Sequence, residues 1–281
     1  MNFGAAHNKR PWTTGHKADV LAPERMIPVE ILEAIGIALL GTISGLLIGC
    51  IGIGGVILVP ALVFLAGISI QAAIPAAMFA YILSGLVATM VFARHKSIHW
   101  GMAIWLCIGA TPAAFAGAWA VSVFDPRLLE TCLGLLTFLS GLNSLRAPQL
   151  TDAANAKAAP SHVLLGIGAV TGFLSSLSGT GGPLVLVPIL ISMNIPVLTA
   201  VGLSQAIQVP VAIAATFGNV IYGKLDLTLG GILAASLTIG SWYGAKLAHV
   251  VPRAVLRGFV SAVLVIIGTF VLANVGWRVF R

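Results

Sequence analysis

Long apolar blocks separated by short polar breaks dominate the chain. No Asp, Glu, Lys or Arg lies between Ala34 and Ala93 or between Ser161 and Gly223. Each of these stretches is long enough for more than one membrane span of about 20 residues. The pattern predicts an all-α polytopic membrane protein. Its blocks lie at about 31–48, 55–67, 70–93, 100–122, 128–145, 162–176, 183–193, 196–222, 227–248 and 254–275.

Composition and charge agree with this fold class. Of the 281 residues, 58% are hydrophobic and 8% are charged, whereas about a quarter of the residues of a soluble domain are charged. The formal net charge is +7, but the cations stand at block ends, where we expect contact with lipid headgroups and not with nucleic acid. The three cysteines lie inside apolar blocks and indicate neither disulfides nor a metal site.

The second half of the chain repeats landmarks of the first. One motif reads Gly-Ile-Gly-Gly-Val-Ile-Leu-Val-Pro over 52–60, and its counterpart reads Gly-Thr-Gly-Gly-Pro-Leu-Val-Leu-Val-Pro over 179–188. Gly141 and Gly268 stand 127 positions apart, close to the same offset. Duplicated halves are common among secondary transporters. We therefore predict a polar tail at 1–30, a first membrane repeat at 31–146, a linker at 147–161, a second repeat at 162–276 and a C-terminal tail at 277–281.

Each half has four to five membrane segments, and their number decides how the halves are related. If the first two blocks of a half cross the membrane once together, the halves are parallel. Arg94 and Lys96 then share a side with the N-terminal tail, which the positive-inside rule favours. If these two blocks cross separately or form a hairpin, the halves are inverted, and Arg94 and Lys96 lie on the other side.

The two glycine motifs predict a broken helix near the start of each half. Glycine costs about 1 kcal/mol relative to alanine inside a helix, and Pro60 and Pro188 restrict the residues before them. Irregular backbone at membrane depth has to be buried or to line a wet cavity. Free N–H groups at such a break, and the start of the following half-helix, can bind an oxyanion. The alternative is that the glycines allow close helix packing.

A second group of polar residues lies further along the second half. Ser204, Gln205 and Gln208 have the spacing that places side chains on one helix face. They contact substrate or form interhelical hydrogen bonds, and we expect them to face the second glycine motif. The candidate substrate-binding residues are Gly52, Gly54, Gly55, Ser178, Gly179, Thr180, Gly181, Gly182, Ser204, Gln205 and Gln208.

Catalytic and metal-binding patterns are not found in the sequence. The carboxylates stand near block ends, so the acidic relay of a proton pump is missing, although His95 and His99 share one loop. Hydrolase triads, HExxH and CxxC do not occur. We predict no enzyme activity, no metal and no cofactor.

The paired glycine motifs resemble those of the TauE/SafE family of sulfite and sulfonate exporters, and the resemblance runs from about Ile31 to Ala273. Val56 and Pro183 stand where a further glycine is typical of the family. The resemblance implies a multi-pass permease of the bacterial inner membrane with two homologous halves. It also implies that the transported solute is sulfite, sulfoacetate or another organosulfonate.

Together these features predict a permease that exports small sulfur-containing anions, driven by the membrane potential. A transporter of another small solute or a cation, and a membrane partner subunit without transport, are the alternatives. The expected partners are the small anion and membrane lipid, and the sequence leaves open whether the chain forms a homodimer.

Overall fold

In a computed structural model of the chain, the described residues are 26–52, 55–146, 160–223, 225–250, 262 and 265–274. Most of these residues are helical and none lies in a strand, and five of their helices are long and apolar enough to cross a membrane. The prediction of an all-α polytopic membrane protein is confirmed. The helices are α1 (Met26–Ile51), α2 (Gly55–Phe64), α3 (Ile70–Arg94), α4 (Trp100–Val123), α5 (Pro126–Arg146), α6 (Ser161–Ser178), α7 (Pro183–Ser192), α8 (Val197–Tyr222), α9 (Leu227–Leu247) and α10 (Val265–Asn274).

The helix bounds follow the apolar blocks, with one difference at the N-terminus. Helix α1 begins at Met26, inside the range 1–30 that the sequence assigns to a polar tail. The rest of that tail, most of the linker and the C-terminal tail lie outside the described residues.

The two motif prolines lie within helices, although the sequence predicts that they oppose helical backbone. Pro60 belongs to α2 and Pro188 to α7, and the breaks precede both helices. A proline removes the hydrogen bond to the carbonyl four residues earlier. For Pro188 this is the carbonyl of Leu184, to which the Ser140 hydroxyl donates at 3.4 Å. A neighbouring helix thus satisfies the freed carbonyl, as is common in membranes.

Six long helices pack in the order α1, α9, α3, α8, α4 and α6. In α1 and α9, Gly41 lies against Ser236 and Gly49 against Ala245, so the two helices run in the same direction. Helix α3 also runs parallel to α9. Phe79 lies against Gly230 near the start of α9, and Phe92 contacts His249 after its end. Between them the Ser241 hydroxyl donates to the Ser84 carbonyl.

Helices α4, α6 and α8 form a second parallel set. Gly109 lies against Leu165 and Gly117 against Phe173, which aligns α4 with α6. The contacts of Gly202 with Ile98 and of Gly218 with Ala118 align α8 with α4.

The two sets run in opposite directions where α3 meets α8. Gly85 lies against Gln208, whereas Phe92, further along α3, lies against the earlier residue Gly202. Helices in corresponding places of the two predicted repeats, such as α3 and α8, are therefore antiparallel. The parallel arrangement favoured by charge counting is wrong, and the hairpin version with inverted halves matches the helix directions.

The two ends of this bundle can be named by their residues. The Asp125 face holds the start of α3 and the end of α4, which are joined by a 3.4 Å hydrogen bond from Gln71 to the carbonyl of Phe124. The His95 face holds the end of α3 and the end of α9. Helix α1 starts at the Asp125 face because it runs parallel to α3, so Arg94 and Lys96 lie on the face opposite to its start.

Small residues let the parallel helices approach closely. A Cβ added at Gly45 would collide with the backbone of Leu237 in α9. Equivalent collisions would follow in the pair α4 and α6, where Gly172 lies against the backbone of Ala110. Spacing of small residues by four positions is typical of helix pairs that pack in membranes.

Candidate functional site

Each predicted break turns the chain back on itself. Helix α1 ends at Ile51, Gly52 has φ +82°, and α2 begins at Gly55. Residues 53 and 54, and with them the candidate Gly54, lie outside the described residues. Gly55 lies beside Tyr81, whereas Val59 and the earlier residue Ile74 both lie beside Gly179, so α2 runs antiparallel to α3. The first break is thus the turn of a hairpin formed by α1 and α2, and α2 leads back towards the Asp125 face.

The second break has the same form with the opposite direction. Gly179, Gly181 and Gly182 have φ of +70°, +78° and +109° between α6 and α7. Glycine adopts this backbone region without the steric cost that other residues meet. Gly182 lies beside Ile207, in the first half of α8, and α7 returns from there to the start of α8 at the His95 face.

The two breaks touch each other in the interior of the bundle. A Cβ built on Gly52 would stand 2.9 Å from Pro183 Cβ, and one on Gly55 would collide with the carbonyl of Thr180. The hydroxyl of Tyr81, a buried residue in the middle of α3, donates to the Gly179 carbonyl at 3.1 Å. The N-termini of α2 and α7 therefore meet from opposite sides. A helix N-terminus carries roughly half a positive charge.

Helix α7 presents free donors at this meeting point. Its first residue is Pro183, which has no N–H, and the preceding Gly182 has no side chain to cap the helix. The N–H groups of Gly181, Gly182, Leu184 and Val185 have no acceptor among the described residues. Free N–H groups at a helix start are the usual elements of a protein anion site.

The two candidate hydroxyls of the second break are already engaged. The Ser178 hydroxyl donates to the Leu174 carbonyl at 2.7 Å. Its oxygen lies 2.9 Å from the Thr180 hydroxyl, which is left as the donor of that bond. In this arrangement Ser178 and Thr180 stabilise the turn.

Ser204, Gln205 and Gln208 are buried and do not face lipid, as the sequence predicts. Two of them contact the first break. Ser204 Oγ lies 3.2 Å from the Cβ position of Gly52, and Gln205 Nε2 donates to the Ile48 carbonyl at 2.7 Å. Both thus contact the first break, because the inverted arrangement brings the end of α1 against α8.

Several buried polar atoms around the breaks have no partner among the described residues. They are both amide atoms of Gln208, Oε1 of Gln205, and the hydroxyl of Ser175. Ser175 Oγ lies 3.9 Å from the Cβ position of Gly182, next to the free N–H groups of α7. A buried polar group left unpaired costs about 1–3 kcal/mol, so these atoms mark a place where a polar ligand or water can bind.

Among the described residues, no charged side chain is in a recorded contact with the two breaks. Those within or next to the helices stand near helix ends: Glu33, Arg94, Lys96, Asp125, Arg127, Glu130, Asp226 and Lys246. The electrostatics of the breaks are therefore set by backbone dipoles, amides and hydroxyls.

The sequence did not single out Tyr81, Ser175 or His249. Tyr81 stands 127 positions before Gln208, the offset shared by Gly141 and Gly268, so the repeat alone could have paired it with a candidate. His249 stacks on His95 with ring centroids 4.0 Å apart at the ends of α9 and α3. No local pattern signals that pair.

A model of the sulfite exporter TauE/SafE family matches residues 37–271 of the chain. A probable membrane transporter protein of Methanocaldococcus jannaschii is 26% identical over 83% of this chain and 93% of its own length. The probable membrane transporter proteins YunE and YdhB of Bacillus subtilis are 25% and 26% identical. Their alignments cover 77% and 81% of this chain and 88% and 96% of the relatives. No solved structure matches.

Proposed function

Because the chain belongs to the TauE/SafE sulfite exporter family, we propose that it is a permease that exports small sulfur-containing anions across the bacterial inner membrane. Its relatives are named as membrane transporters, and its own helices make it a multi-pass membrane protein. The substrates proposed are sulfite, sulfoacetate and related organosulfonates.

The observation that carries the proposal is the meeting of the two half-helix starts. Two N-terminal dipoles point at one place from opposite sides of the bundle, and α7 adds unpaired N–H groups there. Such a site attracts the oxygens of a sulfonate or sulfite without a formal positive charge. Neutral donors hold the anion less tightly than a buried lysine would, which favours release during transport.

The same chemistry argues against a cation as substrate. Intramembrane cation sites are usually built from carboxylates or converging carbonyls, and the described carboxylates stand near helix ends. The proposed site comprises Gly52, Gly54, Gly55 and Gly179–Gly182 with Ser204, Gln205 and Gln208. Both breaks belong to one chain, so a homodimer would contain two complete sites.

A thermal-shift experiment tests the proposal on purified protein. Sulfite, sulfoacetate, taurine, thiosulfate and sulfate are compared, and a bound anion at about 100 times its Kd stabilises the folded state by about 2.7 kcal/mol. We expect at least one sulfur oxyanion to raise the melting temperature of the wild type. If none does, and proteoliposomes carry none of them, the proposal is wrong.

The variant Gln208→Leu tests whether the anion that raises the melting temperature binds near the breaks. It removes a buried amide that has no partner, so the protein without ligand should melt at the same or a higher temperature, while the shift caused by the anion is reduced. Gln71→Leu makes the same chemical change at the start of α3, outside the breaks, and should keep the shift. An equal response of Gln208→Leu and wild type would remove Gln208 from the site.

A further inference from the structure

Asn219 is an unexplained polar residue near the end of α8. Its side chain is 1% exposed, and both of its amide atoms lack a partner among the described residues. Its backbone is ordinary, since its carbonyl accepts from the Gly223 N–H at 2.9 Å. A buried primary amide without partners costs free energy in an apolar bundle, so a ligand or water is the expected partner of this one.

Asn219 shares a helix face with the residues of the central site. Gln205, Gln208, Ala212, Ala215 and Asn219 follow one another at intervals of three or four residues, which is the spacing of one face. All five are buried. The face therefore carries polar residues at both ends and two small side chains between them.

This face leads from the breaks towards the Asp125 face of the bundle. Gln208 lies against Gly85, near the middle of α3, whereas Gly218, the neighbour of Asn219, lies against Ala118 near the end of α4. The end of α4 is at the Asp125 face. Asn219 thus lies between the central site and that surface, at a level where α8 is still buried.

We propose that Asn219 is a second binding position for the transported oxyanion, on the route between the central site and the Asp125 face. Its Nδ2–H donates to an oxyanion oxygen, as the free N–H groups do at the breaks. Ala212 and Ala215 are small and lie in the packed core, so the anion can pass along this face of α8 only when the facing helices separate. The inference rests on the proposed function for the identity of the anion, but not for the existence of the route.

Cysteine labelling tests the route without assuming transport. In a parent with Cys50→Ala, Cys107→Ala and Cys132→Ala, the variant Asn219→Cys is exposed to 2-sulfonatoethyl methanethiosulfonate, a thiol reagent that is itself a sulfonate. We expect modification, and we expect methanesulfonate to slow it. Phe217→Cys, on the lipid-facing side of the same helix, is the matched control and should not react with this charged reagent.

Two labelling results would overturn the inference. Modification only by the uncharged methyl methanethiosulfonate would show a water-filled cavity that excludes anions, and modification by neither reagent would show a closed interior. If the wild type transports no sulfur anion but the anionic reagent still modifies Asn219→Cys, the proposed function fails while the anion route stands.

Transport by Asn219→Ala provides the second measurement. Loss of one hydrogen bond to a charged group should raise the half-saturating anion concentration about tenfold, with the melting temperature little changed. Thr216→Val is the matched control, because Thr216 also has an unpaired hydroxyl on α8 but is only half-buried. Unchanged transport by Asn219→Ala, or an equal loss in Thr216→Val, would contradict a binding role.

Discussion

Two separate constraints favour glycine at position 181 in the second break. Its φ is +78°, and a Cβ there would stand 2.9 Å from the ring of Tyr81. A larger side chain would meet that ring and cover the adjacent N–H groups. We expect Gly181→Leu to abolish anion transport in proteoliposomes while the protein still inserts into the membrane.

Gly231→Leu is the control for this change. A Cβ at Gly231 meets nothing within 4 Å, so leucine at this position in α9 should leave transport near the wild-type rate. Transport by well-expressed Gly181→Leu at that same rate would exclude the second break from the binding site.

For single residues, the sequence predicts the backbone conformation better than it predicts which side chains are neighbours. Clustered glycines in an apolar block indicate non-helical backbone, and Gly52 and Gly179–Gly182 have the positive φ that only glycine adopts readily, with the exception of Thr180 between them. The contacts of Ser204 and Gln205 with the first break were not predicted, because they depend on the crossing of α1 and α8, which is a property of two distant segments. The contact of Tyr81 with Gly179 also joins two distant segments, and only the repeat offset to Gln208 could have indicated that residue.

At the scale of helices, the packing of α1 against α9 is sensitive to side-chain size. Gly41, Gly45 and Gly49 lie on one face of α1, where they meet Ser236, Leu237 and Ser241 of α9. Overpacking a well-packed contact typically costs about 1–3 kcal/mol, and here the collision is with rigid backbone. We expect Gly45→Leu to lower the melting temperature or the yield of folded protein.

Gly36→Leu on the same helix separates this effect from a general intolerance of α1 to leucine. A Cβ at Gly36 meets nothing within 4 Å, so this variant should melt like the wild type. Equal melting temperatures of Gly45→Leu and Gly36→Leu would show that the backbones of α1 and α9 do not approach as described.

Helix positions follow from the sequence because each apolar block needs to satisfy its own backbone in lipid. The beginning of α1 at Met26 does not follow, since the polar residues there resemble a tail. The persistence of helix through Pro60 and Pro188 was also missed, because the hydroxyl that compensates Pro188 comes from Ser140 on α5.

At the scale of the whole molecule, the loops that follow α3 and α8 lie on opposite faces. We therefore expect Lys96→Cys and Asp226→Cys, in the parent without native cysteines, to react with an impermeant thiol reagent from opposite sides of sealed vesicles. Labelling both from one side would restore the parallel arrangement of halves.

Charge counting could not find this arrangement. Inversion puts corresponding loops of two similar halves on opposite faces, so cations such as Arg94 and Lys96 stand opposite the start of α1 and the positive-inside rule receives conflicting signals. The helix directions come from contacts between distant segments, such as Gly85 with Gln208. Through these contacts, helices of the first half alternate with helices of the second half in the bundle. The predicted linker at 147–161 does not reveal this alternation. The duplication of the two halves stays a prediction.

The energetics of transport follow from the neutral chemistry at the breaks. An inside-negative potential expels an anion with about 2.3 kcal/mol per charge per 100 mV. Roughly 150 mV then supplies about 3.5 kcal/mol for a monovalent sulfonate, enough for a gradient of a few hundredfold. Export of such an anion, as proposed, would therefore need no coupled ion, in keeping with a centre that lacks carboxylates in the described helices.

Voltage-dependent efflux from proteoliposomes tests this central claim most directly. Vesicles preloaded with sulfoacetate are given an inside-negative potential by potassium and valinomycin, with no pH or sodium gradient. We expect the potential to accelerate loss of sulfoacetate relative to vesicles at zero potential, and Gly181→Leu to abolish that acceleration. Efflux that ignores the potential and instead follows an imposed proton gradient would contradict a voltage-driven anion permease.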